Sequence, residues 1–381
     1  MIETFTILGG AIALLSIFKN GSARKFFWPF VLLLVVFDGL RWEMGVDWVT
    51  HYDWFYMPAG GTRPWADGPG LGDWTDIGSK LLPGVEIGFN QYVVLMRELT
   101  DNYSVFLFIT TAIFYIGIFH TVFVMTDRSL FPMFYLAGTL PWYSGSLRQL
   151  IAVMFFTFAL KATIDRKLIR FLVLITSAVL FHTTAVVFVP MYFLYGISTA
   201  FYLVIFGALF VVAAFAPTLV PILDMVVNFL GQGRSFAGRL NPPIEDSSPF
   251  LGFARKVLTV ACFMGFSGAV GRSKKIDGKQ WNDVRFTLML VGLSIIFYYI
   301  GTYHINYVSS RMNIYSVILS GAVLIGLLDR GFTSKRSKLL LFVFVVFLLG
   351  VFYSRLQFMD LFHPYSSLFY NYDLIRGLQG I

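Results

Sequence analysis

The chain has 381 residues, of which 57% are hydrophobic and 13% charged, with 42 Phe, 34 Gly and a formal net charge of +8. A water-soluble domain carries roughly a quarter charged residues, so this composition excludes a soluble enzyme, a disordered chain and a disulfide scaffold. The single cysteine, Cys262, lies in the apolar run VLTVACFMGF and reads as a buried small hydrophobe.

Apolar runs able to span a bilayer occur near 2–18, 26–40, 104–125, 129–143, 146–160, 168–183, 184–197, 199–223, 255–271, 286–303, 312–328 and 339–354. A crossing takes about 20 residues. The reading is therefore an all-α polytopic integral membrane protein of about 12 transmembrane helices, one transmembrane domain over 1–381. The first run has no basic stretch before it and no small-residue cleavage site before KNGSARK, and reads as a retained helix.

Alternation over twelve spans puts KNGSARK, TDRS, KATIDRKLIR, GRSKKIDGKQWNDVR and DRGFTSKRSK on one side. They hold 17 of the 29 Lys and Arg but 5 of the 21 Asp and Glu, a net of +12 against −4 on the other side. Lys and Arg favour the cytoplasmic face, so the loops 41–103 and 224–254 and both termini are expected outside. The basic balance thus records orientation, and no nucleic-acid partner is needed to explain it.

The loop 41–103 contains five of the eight Trp, nine acids and four bases, with the stretch RPWADGPGLGDW breaking any single helix. Aromatic faces flanked by carboxylates suit sugar rings, which makes Trp48, Trp54, Trp65, Trp74 and Tyr52 candidate sugar contacts. An interfacial aromatic belt would account for Trp42 and Trp48 but leaves Trp65 and Trp74 unexplained.

Arginines recur at the outward ends of the spans: Arg41, Arg148 in SGSLRQL, Arg311 in YVSSRMNIY, and Arg234 and Arg239 in GQGRSFAGRL, with His182 and His304 at the same level. Guanidinium forks match phosphate oxygens, so this side is expected to bind a phosphate or pyrophosphate. No phosphate-binding glycine loop, zinc spacing or H-E-x-x-H motif is present, and neither a metal nor another cofactor is expected. Asp47, Glu86 and His182 are the candidate bases for taking an acceptor proton. Glu86 borders an apolar segment; it is alternatively an ion-pair partner of Arg97 or Arg41, and Asp47 a structural partner of Arg41.

Five blocks carry a resemblance: Arg41-x3-Gly45-x-Asp47; Glu86-x-Gly88-Phe89 followed by Asp101-Asn102; Arg148-Gln149; Phe181-His182-Thr183; and Arg311-Met312-Asn313-Ile314-Tyr315. In this order they resemble the EpsG/Wzy-like polysaccharide polymerases of bacterial envelopes. Where that family shows D-Y-x-x-Y, this chain reads Asp47-Trp48-Val49-Thr50-His51-Tyr52, with the tyrosine one place late. The resemblance implies a GT-C-type glycosyltransferase of the inner membrane with a large periplasmic loop. It would join oligosaccharide repeats carried on undecaprenyl pyrophosphate at the outer face, with a chain-length regulator as a possible partner. An O-antigen ligase-like enzyme shares the donor, and a lipid-linked sugar flippase or transporter is a different class. The transporter should carry charges midway along its spans, whereas here they gather at one end.

Overall fold

A computed structural model describes residues 2–18, 22–41, 47–56, 85–215, 249–271, 277–303 and 311–353. All the regular elements among the described residues are helical. In chain order they are α1 (Ile2–Phe18), α2 (Phe27–Gly39), α3 (Trp48–Tyr56), α4 (Ile87–Leu99), α5 (Tyr103–Met125), α6 (Phe131–Thr139), α7 (Leu147–Ile164) and α8 (Leu168–Phe181). After a 3₁₀ segment Thr183–Phe188 come α9 (Met191–Leu194), α10 (Thr199–Ala214), α11 (Pro249–Gly271), α12 (Gly278–Tyr303), α13 (Arg311–Gly331) and α14 (Lys335–Tyr353).

Among the described residues, six helices are long and apolar enough to cross a membrane: α5, α7, the Phe253–Gly271 part of α11, the Gly278–Ile300 part of α12, α13 and α14. Shorter apolar helices cover Ile2–Phe18, Leu168–Phe181, Thr183–Leu194 and Thr199–Val211. The protein is a polytopic helical membrane protein. Its described spans differ from the twelve equal crossings read from hydropathy, because several apolar runs form short or broken elements. The run near 129–143 becomes the nine-residue α6 and a 3₁₀ turn at Leu140–Tyr143, with Pro132 and Pro141 at their starts. The run near 184–197 returns as a 3₁₀ segment and one α-turn. A 3₁₀ segment rises about 2.0 Å per residue against about 1.5 Å for an α-helix, so a short stretch covers more distance. The break in this return sits beside Pro190.

Helix α13 is the axis of the bundle, with 94% of its apolar window buried; α14, at 28%, is peripheral. Around α13 pack α6 and α12, while α5 packs against α2 and α7, and α7 against α8. Within α13, Ile314–Leu319 form a π-helical segment. Such bulges interrupt the regular ladder and recur near functional sites.

The basic turns gather at one end of this bundle. Arg24 donates to the Asp127 carbonyl, linking the turn after α1 to the turn after α5, and Lys335 at the start of α14 lies over the Phe18 ring. Arg166 donates to the Tyr192 carbonyl and Tyr195 donates to Asp283. Charges also occur inside the apolar runs: Asp38 in α2 and Lys256 in α11, which donates to Asn313 Oδ1, are both buried. The free Cys262 is half-buried.

Candidate functional site

At the other end of the bundle, four segments distant in sequence meet: the start of α3, the start of α4, the start of α7 with the turn before it, and the start of α13. Gly88 shows why α4 can approach. A Cβ there would lie 2.7 Å from the Leu180 carbonyl oxygen, so only glycine lets α4 seat against the end of α8. That seat places Glu86, which precedes α4 in extended conformation and makes no capping bond with its side chain, beside the Thr183 turn.

Glu86 Oε2 receives Nη1 of Arg148 at 2.5 Å, and Oε1 faces the Thr183 N–H at 3.3 Å and its hydroxyl at 3.5 Å. Both carboxylate oxygens are thus engaged. The Arg148 guanidinium also lies over the Trp54 ring, 4.7 Å from its centroid, so one side chain is held by an ion pair and a cation–π contact together.

Arg311 forms the second pair. Its Nη1 donates to Ser146 Oγ at 2.8 Å and to Gln149 Oε1 at 3.1 Å, and its Nη2 lies 3.6 Å from Asp47 Oδ2. Gln149 Nε2 in turn donates to the Arg311 carbonyl at 2.6 Å. Ser146 occupies the N-cap position of α7, but its hydroxyl makes no capping bond and donates to Asp47 Oδ2 at 3.1 Å. Among the described residues, the contacts to the Asp47 carboxylate fall on Oδ2, and its carbonyl accepts from the His51 N–H at 3.0 Å.

Helix dipoles set the electrostatics. Arg148 stands in the first turn of α7, where cations are disfavoured because a helix N-terminus carries about half a positive charge. The ion pairs with Glu86 and Asp47 compensate the guanidinium charges, and the N-termini of α4 and α7 still contribute partial positive charge here.

Two histidines complete the group. His182 ends α8 and caps the 3₁₀ segment: its Nδ1 accepts from the Thr184 N–H at 3.4 Å and lies 2.7 Å from the Thr184 hydroxyl. Burial pushes its pKa down to about 4; Glu86 works against the shift, while Arg311 and Arg148 reinforce it. The ring is therefore neutral at pH 7, and with Nδ1 accepting, the proton resides on Nε2. His51, 2% exposed, sits edge-on to Trp54 and near Phe89. Burial, reinforced by Arg148 and Arg41, lowers its pKa to about 3.

The structure brings together Asp47, Glu86, Arg148, Arg311, His182 and Trp54 from the sequence-derived set. It separates Arg41, which is 3% exposed and donates to the carbonyls of Asp38 and Ser144, each at 2.6 Å, while its Nη1 lies 3.2 Å from Asp38 Oδ1. The direct phosphate contact expected of Arg41 is replaced by this internal pairing, because its guanidinium faces protein groups. The ion pairs considered for the carboxylates are corrected too: Arg41 pairs with Asp38, Arg97 with Asp101 at 3.5 Å, Glu86 with Arg148 and Asp47 with Arg311. Trp48 is 4% exposed, stacked on Tyr52 and edge-on to Tyr103, so its ring packs the interior and does not offer a face to a sugar. Tyr52 is half-buried in the same aromatic cluster. Trp65, Trp74, Arg234, Arg239 and His304 lie outside the described residues.

Sequence reasoning gave no role to Asp38, His51, Ser146 or Thr183. Asp38 carries a legible signal, a carboxylate inside an apolar run. The hydroxyls carry none, since their use depends on which helix ends meet. Among the described residues no group of three or more His, Cys, Asp or Glu converges as a metal site.

Fold and site together define a polytopic helical membrane protein with a cluster of paired charges at one end of its bundle. The sequence model of the EpsG family matches residues 25–373, and the chain belongs to that family. Membership makes it, at the level of the family, a glycosyltransferase-like polysaccharide polymerase of a membrane-associated pathway. Neither a curated protein nor a solved structure matches the chain.

Proposed function

We propose that the chain lengthens a surface polysaccharide by joining oligosaccharide repeats carried on undecaprenyl pyrophosphate, with the charged cluster as the site of transfer on the outer face of the inner membrane. The observation that carries this reading is the convergence of Arg148–Glu86 and Arg311–Asp47 beside the N-termini of α4 and α7. The family match supports the activity class, and the +12 against −4 division of charge supports the outward orientation.

In the reaction, the acceptor hydroxyl oxygen forms a bond to the anomeric carbon of the donor as the bond from that carbon to the pyrophosphate oxygen breaks, its electron pair leaving with the pyrophosphate. Arg148 and Arg311, already fixed, and the helix N-termini around them stabilise the charge that develops on the leaving group. His182 offers Nε2–H as a neutral donor to the same oxygens. The acceptor proton goes to Asp47, whose Oδ1 accepts no hydrogen bond from another described residue, whereas Glu86 has both oxygens engaged and orients Arg148. Half-buried Trp54 holds the opposite face of that guanidinium.

The test is purified protein in nanodiscs with a lipid-pyrophosphate-linked repeat, following donor binding and chain extension separately. Asp47→Asn should bind donor and extend at least ~100-fold more slowly. Normal extension by that variant removes Asp47 as the base.

A further inference from the structure

We propose that the buried Asp38–Arg41 pair is a positioning device for the transfer site: it clamps the turn at 144–146 and thereby fixes the distance between Asp47 and Arg311, without touching substrate. The inference rests on the reading that Asp47 and Arg311 carry the transfer.

The pair is enclosed. Asp38 and Arg41 are each 3% exposed, and Arg41 follows α2, where the last carbonyls of a helix favour a cation. Gly39 shows how tightly this end is seated, since a Cβ there would meet Phe108 Cα of α5 at 3.1 Å. Tyr115 of α5 and the Ser144 hydroxyl lie beside the Asp38 carboxylate. Three separate segments, α2, α5 and the turn before α7, are therefore gathered on one ion pair.

A buried ion pair is a poor source of stability, because desolvation offsets most of its attraction. What it fixes is geometry. Arg41 Nη2 holds the Ser144 carbonyl at 2.6 Å. Two residues on, Ser146 uses its hydroxyl proton toward Asp47 and its lone pair for Arg311. One hydroxyl can bridge a carboxylate and a guanidinium only while its backbone is held still, and the Ser146 backbone bonds, to the Tyr143 carbonyl and from the Leu150 N–H, stay within its own segment, so an anchor to another helix must come from elsewhere. The Arg41 fork supplies that anchor, and Lys, with one ammonium, cannot reproduce two divergent bonds to fixed carbonyls.

The test uses the full-length protein in nanodiscs with two variants, Arg41→Lys and the double variant Asp38→Asn/Arg41→Gln. Hydrogen exchange of the amides at 143–149 reads the clamp directly and needs no substrate. In both variants exchange there should rise at least ~10-fold, donor affinity should stay within ~3-fold and turnover should fall at least ~30-fold. Unchanged exchange overturns the clamp, and so does a loss of donor affinity of ~10-fold or more with turnover of bound donor preserved, which would make Arg41 a direct phosphate ligand. Should the wild-type protein neither bind nor extend lipid-linked repeats, the proposed function falls, and exchange at 143–149 still decides the clamp.

Discussion

The two ends of the bundle carry charge in opposite ways. At the basic end the described ion pairs are local: Lys161–Asp165 joins neighbouring turns across the end of α7, and Lys338–Asp329 closes the short turn between α13 and α14, while the longer reaches, such as Arg24 to the Asp127 carbonyl, are not between opposite charges. At the site end, Glu86 reaches Arg148, Asp47 reaches Arg311, and Arg41 reaches the Ser144 carbonyl, each joining segments far apart in the chain. The basic end has more cationic residues, yet the site end has the organised ones. Among the described residues, ion pairs between segments far apart in the chain occur at the site end, and those of the basic end are local.

The sharpest way to break this contrast is to remove either arginine of the site end. Arg148→Ala or Arg311→Ala should reduce long-chain product at least ~100-fold in a cellular polysaccharide ladder while the protein still accumulates in the membrane. Arg→Lys at either position should recover only part of the loss, because the fork is absent. Comparable ladders from wild type and both alanine variants would reduce these arginines to helix anchors.

A smaller effect is expected at Gly88. Its Ala variant forces α4 away from the Leu180 carbonyl, costing about 1–3 kcal/mol and loosening Glu86 from Thr183. Thermal unfolding and chain extension should both decline, and unchanged values in both would show that the seat of α4 is not needed.

The histidines sharpen the comparison through pH. His182 has a folded pKa of about 4 against an ordinary 6.5, so the unfolded chain takes up the proton first. Stability at this end is fully present above pH 6.5 and declines as pH falls toward 4. Exchange protection at 180–186 should follow that decline, and His182→Asn should flatten it. A profile that is equally steep in the variant would assign the titration elsewhere. The smallest effect belongs to the basic end: Lys161→Ala should change stability by about 0–1 kcal/mol and leave extension unaltered.

Much of the helical framework is legible in composition, because a long apolar run has few alternatives in a bilayer. The runs at 2–18 and 104–125 closely match α1 and α5. Hydropathy fails where proline and a short crossing combine, as at 129–143 and 184–197, since it senses apolarity and not rise per residue. For the cluster, the arginines and carboxylates are legible by residue type and by their place at run ends. Their partners are not: Glu86 and Arg148 meet because a glycine lets α4 touch α8, and Asp38 takes Arg41 from within a run that otherwise reads as plain hydrocarbon. The burial of Trp48 is equally unreadable, because sequence shows an aromatic ring but not what stacks on it.

The most direct measurement is chain extension by purified protein in nanodiscs, supplied only with a lipid-pyrophosphate-linked repeat and compared among wild type, Arg311→Ala and Lys338→Ala. The account predicts extended chains from wild type and Lys338→Ala, and at least ~100-fold fewer from Arg311→Ala. Extension by Arg311→Ala at the wild-type rate would contradict the claim that the charged cluster is the site of transfer.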